Sequence, residues 1–529
     1  MKSLNRLILT AMLLLTVATG YAKPSLDEQI KNLTLADNEG LIILKAVMPK
    51  TVYGSTPPNW MGLGMLKDGN EKGTTVVNIA DREDDYSLFF AKLPAGKYAL
   101  WNLHVFLPKQ TSDQFGSKYS SENFALRLGG VQQFEIQPGA VSDLGVVITL
   151  STDVAKGLPV NSMGAYKSEQ AMQAIWSYSP AESARLIELL RAKLPKLRVL
   201  REGEAWLSAP QVPLPALNEV MPQLLPLGSK PILGADGQLY RGAALGRIRL
   251  TTDDGSTRWI NTGLSGSIRA MAVGEDGTLV GGASMGLLAV LSPGAGEWQT
   301  LQLPYLNSKP LEISMGPQGL HVLVRHEQEA ILLHRASVAA TAPWVELKRF
   351  SISRVGYSSF EMLAEADGIS LLEHSYGWSA GTTLHHYDGA KKAWSESEVP
   401  ADWKNGAGVA ALAPGGWVVC ACAKRNNPQV MRVSSDYGKT WREGAGPDKF
   451  QRIQMTSRTH GLATRIDSIR TKEGGEFTAS LWGTEDGGLS WRKLGSTPIL
   501  FDRVARMSAS VLVSSNYRSV DNGQSWAKH

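Results

Sequence analysis

The chain has 529 residues, of which 43% are hydrophobic and 19% are charged, and its formal net charge is +5. This length allows two or three domains with apolar cores. So small a net charge, without a dense run of basic residues, excludes a strongly basic nucleic-acid-binding protein. The chain contains only two cysteines, which excludes a scaffold held together by several disulfides.

Residues 1–22 are predicted to be a secretory signal peptide. Lys2 and Arg6 form a basic start, and residues 7–17 are apolar but too short a stretch to span a bilayer. The small residues before Lys23 predict cleavage after Ala22; the alternative is an uncleaved anchor. No cysteine lies near this site to carry a lipid, and no later stretch predicts a transmembrane segment in the mature chain. The expected location is therefore periplasmic or secreted.

Residues 23–150 are predicted to form a β-sandwich domain. Residues 41–44, 86–90 and 144–150 are short apolar runs of the kind found in strands. The phrases Leu-Pro-Ala-Gly-Lys-Tyr, at 93–98, and Phe-Glu-Ile-Gln-Pro-Gly, at 134–139, resemble small secreted β-sandwich modules. That resemblance implies an accessory role, in binding or spacing rather than in catalysis.

Residues 151–203 are predicted to be a helical connector. Ser179 is a suitable N-cap residue for a helix. Pro180 then occupies the first helical position and Glu182 the third, where these residue types are favoured. Leucines follow at 186, 189, 190 and 194 and give the helix an apolar stripe before Pro195 ends it. The connector is expected to pack on one of the β domains.

Three stretches, 434–441, 484–491 and 519–526, share the pattern Ser/Thr-x-Asp-x-Gly-x-Ser/Thr-Trp. The pattern suits a tight turn between two strands. The Asp side chain accepts backbone N–H groups, the Gly adopts a positive φ and the Trp starts the next strand as a large apolar wedge. The residues predicted to have these structural roles are Asp436, Gly438, Trp441, Asp486, Gly488, Trp491, Asp521, Gly523 and Trp526.

The same repeat continues upstream in copies that match the pattern less closely. Asp253, Gly255 and Trp259 form a turn of this kind with one inserted residue, and further copies surround Trp298, Trp344 and Trp394, so that seven tryptophans recur 35 to 50 residues apart. A second turn signal precedes each of the first six repeats and separates two apolar runs, at 236–237, 276–277, 318–319, 367–368, 415–416 and 460–461.

Four short strands per repeat of this length predict β-propeller blades over residues 204–529. We count seven blades, or six if the Trp344 repeat belongs to a longer insertion. The ring then closes either by packing alone or through an N-terminal strand, for which residues 204–209 are a candidate.

The eight-residue turn resembles the Asp box of sialidase-type (BNR-repeat) propellers. In that family the box joins the third and fourth strands of a blade, away from the ligand-binding mouth, so the resemblance implies a fold rather than an activity. Catalytic sialidases bind the carboxylate of their substrate with three arginines. The planar guanidinium group suits this role because it can bind a carboxylate in a bidentate manner. The candidates here are Arg241, Arg325 and Arg465, but the Ile-Pro that follows the first clamp arginine in the family is missing after Arg241 and after Arg247.

Two further groups leave alternatives open. Glu373-His374 and His385-His386 are either a metal site on paired strands or ordinary surface histidines, and the second interpretation is favoured. Cys420 and Cys422 share one face of a strand, roughly 6–7 Å apart. They are interpreted as two small apolar residues of an inner strand, with a strained bridge or a thiol pair in an oxidising compartment as the alternative.

The sequence thus predicts a mainly β exported protein with a β-sandwich, a short helical connector and a seven-bladed propeller. Its predicted function is non-catalytic: a binding or scaffold protein whose propeller face holds a protein or glycan partner. The alternative is a sialidase-like glycoside hydrolase. No catalytic residue, cofactor or metal ligand is predicted.

Overall fold

The computed structural model of the protein is mainly β. The described residues are 26–47, 59–67, 70–83, 86–113, 116–127, 133–151, 162–164, 172–177, 180–200, 202–207, 230–234, 236–306, 308–339, 341–351, 358–375, 381–400, 409–422, 430–447, 450–469, 477–498, 504–508, 510–514 and 517–528. The predicted signal peptide lies outside them. Within these ranges, no helix is long and apolar enough to cross a membrane.

The N-terminal region, which we call the N-terminal module, forms one eleven-stranded sheet with three helices. Its strands are β1 Glu39–Val47, β2 Asn59–Lys67, β3 Asn70–Glu83, β4 Tyr86–Pro94, β5 Gly96–Asp113, β6 Gly116–Arg127, β7 Gln133–Ile136, β8 Ala140–Ser151, β9 Ser162–Gly164, β10 Met172–Ser177 and β11 Arg198–Leu200. Its helices are α1 Leu26–Lys31, α2 Pro180–Lys193 and α3 Glu202–Ala205. The main strand order is β6-β5-β2-β3-β4-β1-β8-β10-β9, and the two end strands, β6 and β9, contact each other.

Strand β1 lies in the middle of this sheet because its apolar run is buried on both faces. It pairs antiparallel with β4 and parallel with β8. Ile42 and Leu44 pack into one core cluster, whereas Leu41 and Ile43 pack into another that includes residues of α1 and α2. The strands predicted at 41–44, 86–90 and 144–150 are confirmed.

Among the described residues of the predicted helical connector, 151–203, α2 and the start of α3 are helical. Helix α2 begins at Pro180 and buries Leu186 and Leu190, as the leucine stripe predicts. The range also contains β9, β10 and β11, which join the sheet. Strand β10 pairs antiparallel with β8 and so satisfies backbone groups along an edge that would otherwise be open.

The described residues of the candidate ring-closing strand, 204–207, lie on the N-terminal module instead of the ring. Trp206 forms a bridge with Phe134 of β7, and its indole Nε1 donates to the carbonyl of Leu144 at 3.1 Å. The indole is buried edge-on against Phe134, with ring centroids 5.8 Å apart. This apolar contact holds the segment on the N-terminal module.

The C-terminal region forms seven four-stranded sheets, each built from four consecutive strands. Sheet 1 contains β12 Ile232–Leu233, β13 Leu239–Gly242, β14 Arg247–Thr251 and β15 Thr257–Asn261; sheet 2 contains β16 Ala270–Val273, β17 Leu279–Ala283, β18 Leu287–Leu291 and β19 Gln299–Gln302. Sheet 3 contains β20 Lys309–Gly316, β21 Gly319–His326, β22 Glu329–Arg335 and β23 Val345–Ser351; sheet 4 contains β24 Ser358–Ala364, β25 Gly368–Ser375, β26 Gly381–Asp388 and β27 Ala393–Val399. Sheet 5 contains β28 Val409–Ala413, β29 Trp417–Cys422, β30 Val430–Ser434 and β31 Arg442–Gly444; sheet 6 contains β32 Phe450–Met455, β33 Gly461–Ile469, β34 Phe477–Thr484 and β35 Arg492–Thr497; sheet 7 contains β36 Ala505–Arg506, β37 Leu512–Val513, β38 Tyr517–Ser519 and β39 Ala527–Lys528.

These sheets are arranged around an axis. The first strands of sheets 1 to 6 contact one another in sequence, sheets 6 and 7 share an apolar cluster, and β12 of sheet 1 also contacts β36 of sheet 7. Radial four-stranded sheets whose first strands line an axis are the architecture of a β-propeller. All four described strands of sheet 7 come from the C-terminal stretch, and sheet 7 meets sheet 1 through apolar packing and a hydrogen bond from Arg518 to the carbonyl of Asp253.

The repeated tryptophans lie one per sheet. Six of them stand within one residue of the start of the fourth strand, and Trp259 is the third residue of β15. Most of them pack in a core cluster shared with the preceding sheet; Trp491, for example, lies between sheets 5 and 6. The first-turn signals at 236–237, 276–277, 318–319, 367–368, 415–416 and 460–461 each fall between the first and second strands of a sheet. The Trp344 repeat forms a sheet of its own, sheet 3.

Cys420 and Cys422 are joined by a disulfide, which corrects the favoured interpretation of two unbridged apolar residues. Their Cα atoms are 5.4 Å apart, closer than the spacing expected along a regular strand and within the range that a disulfide spans. Both residues are buried, in the cluster between sheets 4 and 5.

Candidate binding surfaces

The three eight-residue turns have the same hydrogen-bond geometry. In the turn at 484–491, Asp486 accepts the backbone N–H of Ser490 at 2.9 Å and the hydroxyls of Thr484 and Ser490 at 2.8 and 2.5 Å, while Gly488 N donates to Thr484 Oγ1 at 2.9 Å. The turns centred on Asp436 and Asp521 repeat each of these bonds. All three turns join the third and fourth strands of a sheet.

These turns make stability depend on pH in the acid range. Hydrogen bonds from Ser525 lower the pKa of Asp521 to about 2, against an ordinary value of 3.8. In the related turn at 251–259 the accepting carboxylate is Asp254, not the predicted Asp253, and hydrogen bonds from Ser256 and Thr252 lower its pKa to about 2. A carboxylate whose pKa is lower in the folded state stabilises the fold fully above its unfolded pKa and loses that contribution as the pH falls through its folded pKa.

We therefore expect the contribution of these carboxylates to the thermal midpoint to be constant above about pH 4. The midpoint should fall between about pH 4 and 2 as they become protonated. The Asp521→Asn variant should show a shallower fall over that interval. The measurement is the thermal midpoint by circular dichroism across the pH series. Parallel curves for the variant and the wild type would contradict this role of Asp521.

The two edges of the ring differ in how they are bonded. We call the edge that carries the first-to-second and third-to-fourth strand turns the turn face, and the opposite edge the loop face. On the turn face, Trp417 Nε1 donates to the carbonyl of Gly487 at 2.7 Å, linking sheets 5 and 6, and Gln318 Nε2 donates to the carbonyl of Ala366 at 2.7 Å, linking sheets 3 and 4. These bonds hold sheet 3 to sheet 4 and sheet 5 to sheet 6.

A cluster of stacked and hydrogen-bonded side chains around Tyr437 lies on the turn face between sheets 4 and 5. Tyr437 adopts φ 57°, at the turn position held by Gly487 and Asn522 in the other two repeats. Its ring stacks on His386 with centroids 3.7 Å apart, and its hydroxyl donates to Asp367 at 3.3 Å. Burial and then the carboxylates of Glu365 and Asp367 raise the pKa of Tyr437 to about 12.

Glu365 completes the link between sheets 4 and 5, because its carboxylate accepts the backbone N–H of Gly415 at 2.5 Å. Burial raises the pKa of this carboxyl group. Sequence reasoning missed the Tyr437 cluster. The signal was the bulky Tyr437 at the position where the two sister turns have Gly487 and Asn522.

The N-terminal module is fixed to the loop face at sheets 1 to 3. Glu182 of α2 is buried and accepts the backbone N–H of Ser265 and, at 2.5 Å, the Ser265 hydroxyl, in the connection between sheets 1 and 2. His326 of sheet 3 lies 4.0 Å from Asp27 of α1. One apolar cluster runs from α1, β1 and α2 into sheets 1 and 2, including Leu245 and Leu264.

A buried polar network holds α2 on the module. Lys45 of β1 contacts the hydroxyl of Ser183 and lies 4.0 Å from Asp143 of β8. All three side chains are buried. The helix that carries Glu182 is therefore held between the module and the ring, so the described contacts couple the two regions rigidly.

The three arginines proposed from sequence lie on three different sheets. Arg241 lies on sheet 1 and is buried, Arg325 lies on sheet 3 and is exposed, and Arg465 lies on sheet 6 and is paired with Asp467 at 2.7 Å. Each occupies the second strand of its sheet. A carboxylate clamp would require their guanidinium groups to converge from these separate sheets, and the ion pair already directs Arg465 to its own strand.

The predicted pairing of the strands that carry Glu373 and His385 is confirmed, and His374, His385 and His386 are buried rather than at the surface. The two ring nitrogens of His385 lie 3.2 Å from Glu373 and 3.2 Å from Glu396, and Lys348 lies 2.5 Å from Glu396. Carboxylates on opposite sides of one imidazole cannot converge on a single ion. Among the described residues, no group of three or more His, Cys, Asp or Glu has the arrangement of a metal site.

Near the axis, Lys230, which precedes β12 of sheet 1, lies 3.8 Å from Glu361 on β24 of sheet 4. This ion pair connects the inner parts of two sheets that are not neighbours. A small crevice between sheets 6 and 7 is lined by residues that include Arg452, Thr464 and Val504. Its volume of about 10 Å³ is close to what one water molecule needs.

Comparison with known proteins gives only distant structural likenesses. No family model matches the chain, and no curated protein sequence matches it. Among solved structures, it is similar to U3-55K (12% identity, TM-score 0.37, covering 55% of this chain and 88% of that one). It is also similar to YCF48 from Cyanidioschyzon merolae (11% identity, TM-score 0.38, 58% and 97% covered) and to the β-propeller domain of Myceliophteria thermophila Cps50 (11%, 0.36, 54% and 92%). The class of the protein, mainly β with a propeller-type ring, rests on its own strand order.

Proposed function

We propose that the protein is an exported scaffold whose seven sheets form one Asp-box propeller, with the N-terminal sheet folded as a sandwich, and that the loop face over sheets 4 to 6 holds a protein partner. The observation that carries this proposal is the placement of the N-terminal module. The described residues of the module contact the loop face at sheets 1 to 3. We infer that a partner binds the sector over sheets 4 to 6, where the described residues show no such contact.

Export is proposed from the basic and apolar pattern of residues 1–22 alone. A glycan is the second class of partner that a propeller mouth of this kind accommodates. The sialidase-like alternative is less well supported, because Arg241, Arg325 and Arg465 lie on different sheets and Arg465 is paired with Asp467.

The test is site-specific photo-crosslinking with the full chain in its native envelope. A photoreactive residue at Val430, 37% exposed where β30 begins on the loop face, should capture one discrete partner protein. The matched control at Val520, 56% exposed in a turn of the turn face, should capture none. The captured chain should lack residues 1–22.

Three outcomes would count against the proposal. Equal capture at Val430 and Val520 would contradict the assignment of the partner to the loop face. No capture at either position would contradict the proposal of a protein partner. Turnover of fluorogenic sialosides that is lost in Arg465→Ala would instead favour the hydrolase.

A further inference from the structure

A buried lysine and a buried aspartate lie close together between strands β1 and β8 of the N-terminal module. Lys45 is 1% exposed and Asp143 is 0% exposed. The two strands run parallel, and their register shifts between Ile43 and Lys45. Asp143 pairs with Ile43, which lies on the same face of β1 as Lys45, because alternate residues of a strand share a face. This face is the one that packs against the helices of the module.

The geometry of the pair differs from that of a hydrogen-bonded ion pair. Lys45 Nζ lies 4.0 Å from Asp143 Oδ1, whereas the nitrogen and oxygen of such a pair are usually about 2.7–2.9 Å apart. Asp143 Oδ2 is buried and has no hydrogen-bond partner among the described residues. A charged carboxylate with an unsatisfied oxygen is unfavourable in an apolar core. The structure therefore stabilises the charged form of this pair poorly.

The surroundings of the pair supply the groups that a condensation to an amide requires. Lys45 Nζ contacts the hydroxyl of Ser183, near the start of α2, and a hydroxyl can accept one proton and donate another. The backbone N–H of Gly145 donates to Asp143 Oδ1 at 3.1 Å. Negative charge develops on this oxygen when an amine adds to the carboxyl carbon, and the N–H is already directed at it. Oδ2 breaks no described hydrogen bond when it leaves.

We propose that Lys45 and Asp143 condense to an isopeptide bond, a covalent cross-link between β1 and β8. Transfer of one proton from the ammonium to the carboxylate first gives a neutral amine and a neutral acid. The Nζ lone pair then adds to Cγ, the new N–C bond forms and the Cγ–Oδ2 bond breaks. Oδ2 leaves as water with the acid proton and one amine proton, which Ser183 relays. No electron is transferred and no co-reactant is needed.

The product suits the position of the pair in the fold. The amide is neutral, so two buried charges are removed, and its oxygen keeps the hydrogen bond from Gly145. Strands β1 and β8 are neighbours in the sheet but distant in sequence, so the cross-link restricts the unfolded chain as a disulfide does. The two cysteines of the chain are both in sheet 5, so this module cannot contain a disulfide of its own. The inference is independent of the partner proposed for the loop face.

The test is mass spectrometry of the purified full chain after reduction of its disulfide. The intact mass should be lower than the mass calculated for the same chain by one molecule of water. Trypsin does not cleave after a lysine whose amine is acylated, so the digest should contain a branched peptide that joins residues 32–50 to residues 128–156. Lys92 and Glu39, an exposed pair 3.5 Å apart on the same sheet, are the internal control and should be recovered unlinked.

The Lys45→Arg variant makes the experiment specific, because it retains a positive charge but has no amine that can condense. It should have its full calculated mass and a thermal midpoint several degrees below that of the wild type. A wild type with its full calculated mass, cleaved normally after Lys45, would overturn the proposal. Loss of water that persists in Lys45→Arg would also overturn it, because the reaction would then lie elsewhere. If Lys45→Arg does not fold, the presence or absence of the branched peptide in the wild type decides.

Discussion

The Trp491→Ala variant is expected to lose about 3 to 5 kcal/mol of unfolding free energy, the range found when a large buried aromatic side chain is truncated. Trp491 is buried between sheets 5 and 6, where its ring lies 5.3 Å from that of Phe450 and packs with Val419 and Met431. Its Nε1 also donates to the carbonyl of Gly488 at 3.1 Å, which ties the side chain to its own turn. Truncation leaves a cavity between two sheets and removes that bond.

Trp526 is the matched control for this prediction. It occupies the same position in the third repeat, but it is only partly buried, at the last sheet of the ring. The Trp526→Ala variant should therefore lose clearly less stability. Both variants are measured by guanidinium denaturation followed by far-ultraviolet circular dichroism. Equal losses for the two variants would mean that burial between sheets is not what makes Trp491 important.

The Glu182→Ala variant is expected to lose about 3 to 6 kcal/mol of unfolding free energy, because a hydrogen bond to a charged group contributes about 1.5 to 3 kcal/mol and two are removed. Glu182 is buried where α2 meets the ring, and both of its bonds go to Ser265. The loss should appear as weaker coupling between the N-terminal module and the ring, because α2 is the element that joins them. Thermal unfolding gives the size of the loss, and amide hydrogen exchange in α2 gives its location.

Two further variants make the Glu182 experiment specific. Glu182→Gln retains one acceptor oxygen and should lose less than Glu182→Ala. Glu188→Ala, on the same helix, removes an exposed ion pair with Arg185 and should change stability by less than about 0.5 kcal/mol. Faster exchange in α2 of Glu188→Ala, or none in Glu182→Ala, would contradict the assignment of the coupling to Glu182.

Local interactions made the repeats readable from sequence. The turn at 484–491 satisfies its own backbone through Asp486 and its neighbouring hydroxyls, so its conformation requires no distant partner. The first-turn dipeptides and the position of each tryptophan follow from the same short-range chemistry. A prediction based on such signals succeeds because the residues that determine the structure are adjacent in the chain.

The N-terminal module was predicted less well, since its pairing partners are distant in sequence. Strand β10 pairs with β8, and Trp206 lies against Phe134. Neither contact leaves a local pattern that distinguishes a strand on this sheet from a helical connector or a ring-closing strand. The disulfide between Cys420 and Cys422 likewise depends on the Cα distance that the strand adopts.

The residues of the candidate surfaces also fall into those that could be predicted from the sequence and those that only the tertiary structure brings together. The sequence by itself determined where the turns lie and which side chains satisfy them, because each turn is a closed set of hydrogen bonds within eight residues. Only the tertiary structure decided that Arg518 reaches Asp253, that Glu182 reaches Ser265, and that Tyr437 stacks on His386. These contacts join sheets and modules far apart in the chain, and the packing of apolar faces that brings them together is a property of the whole ring.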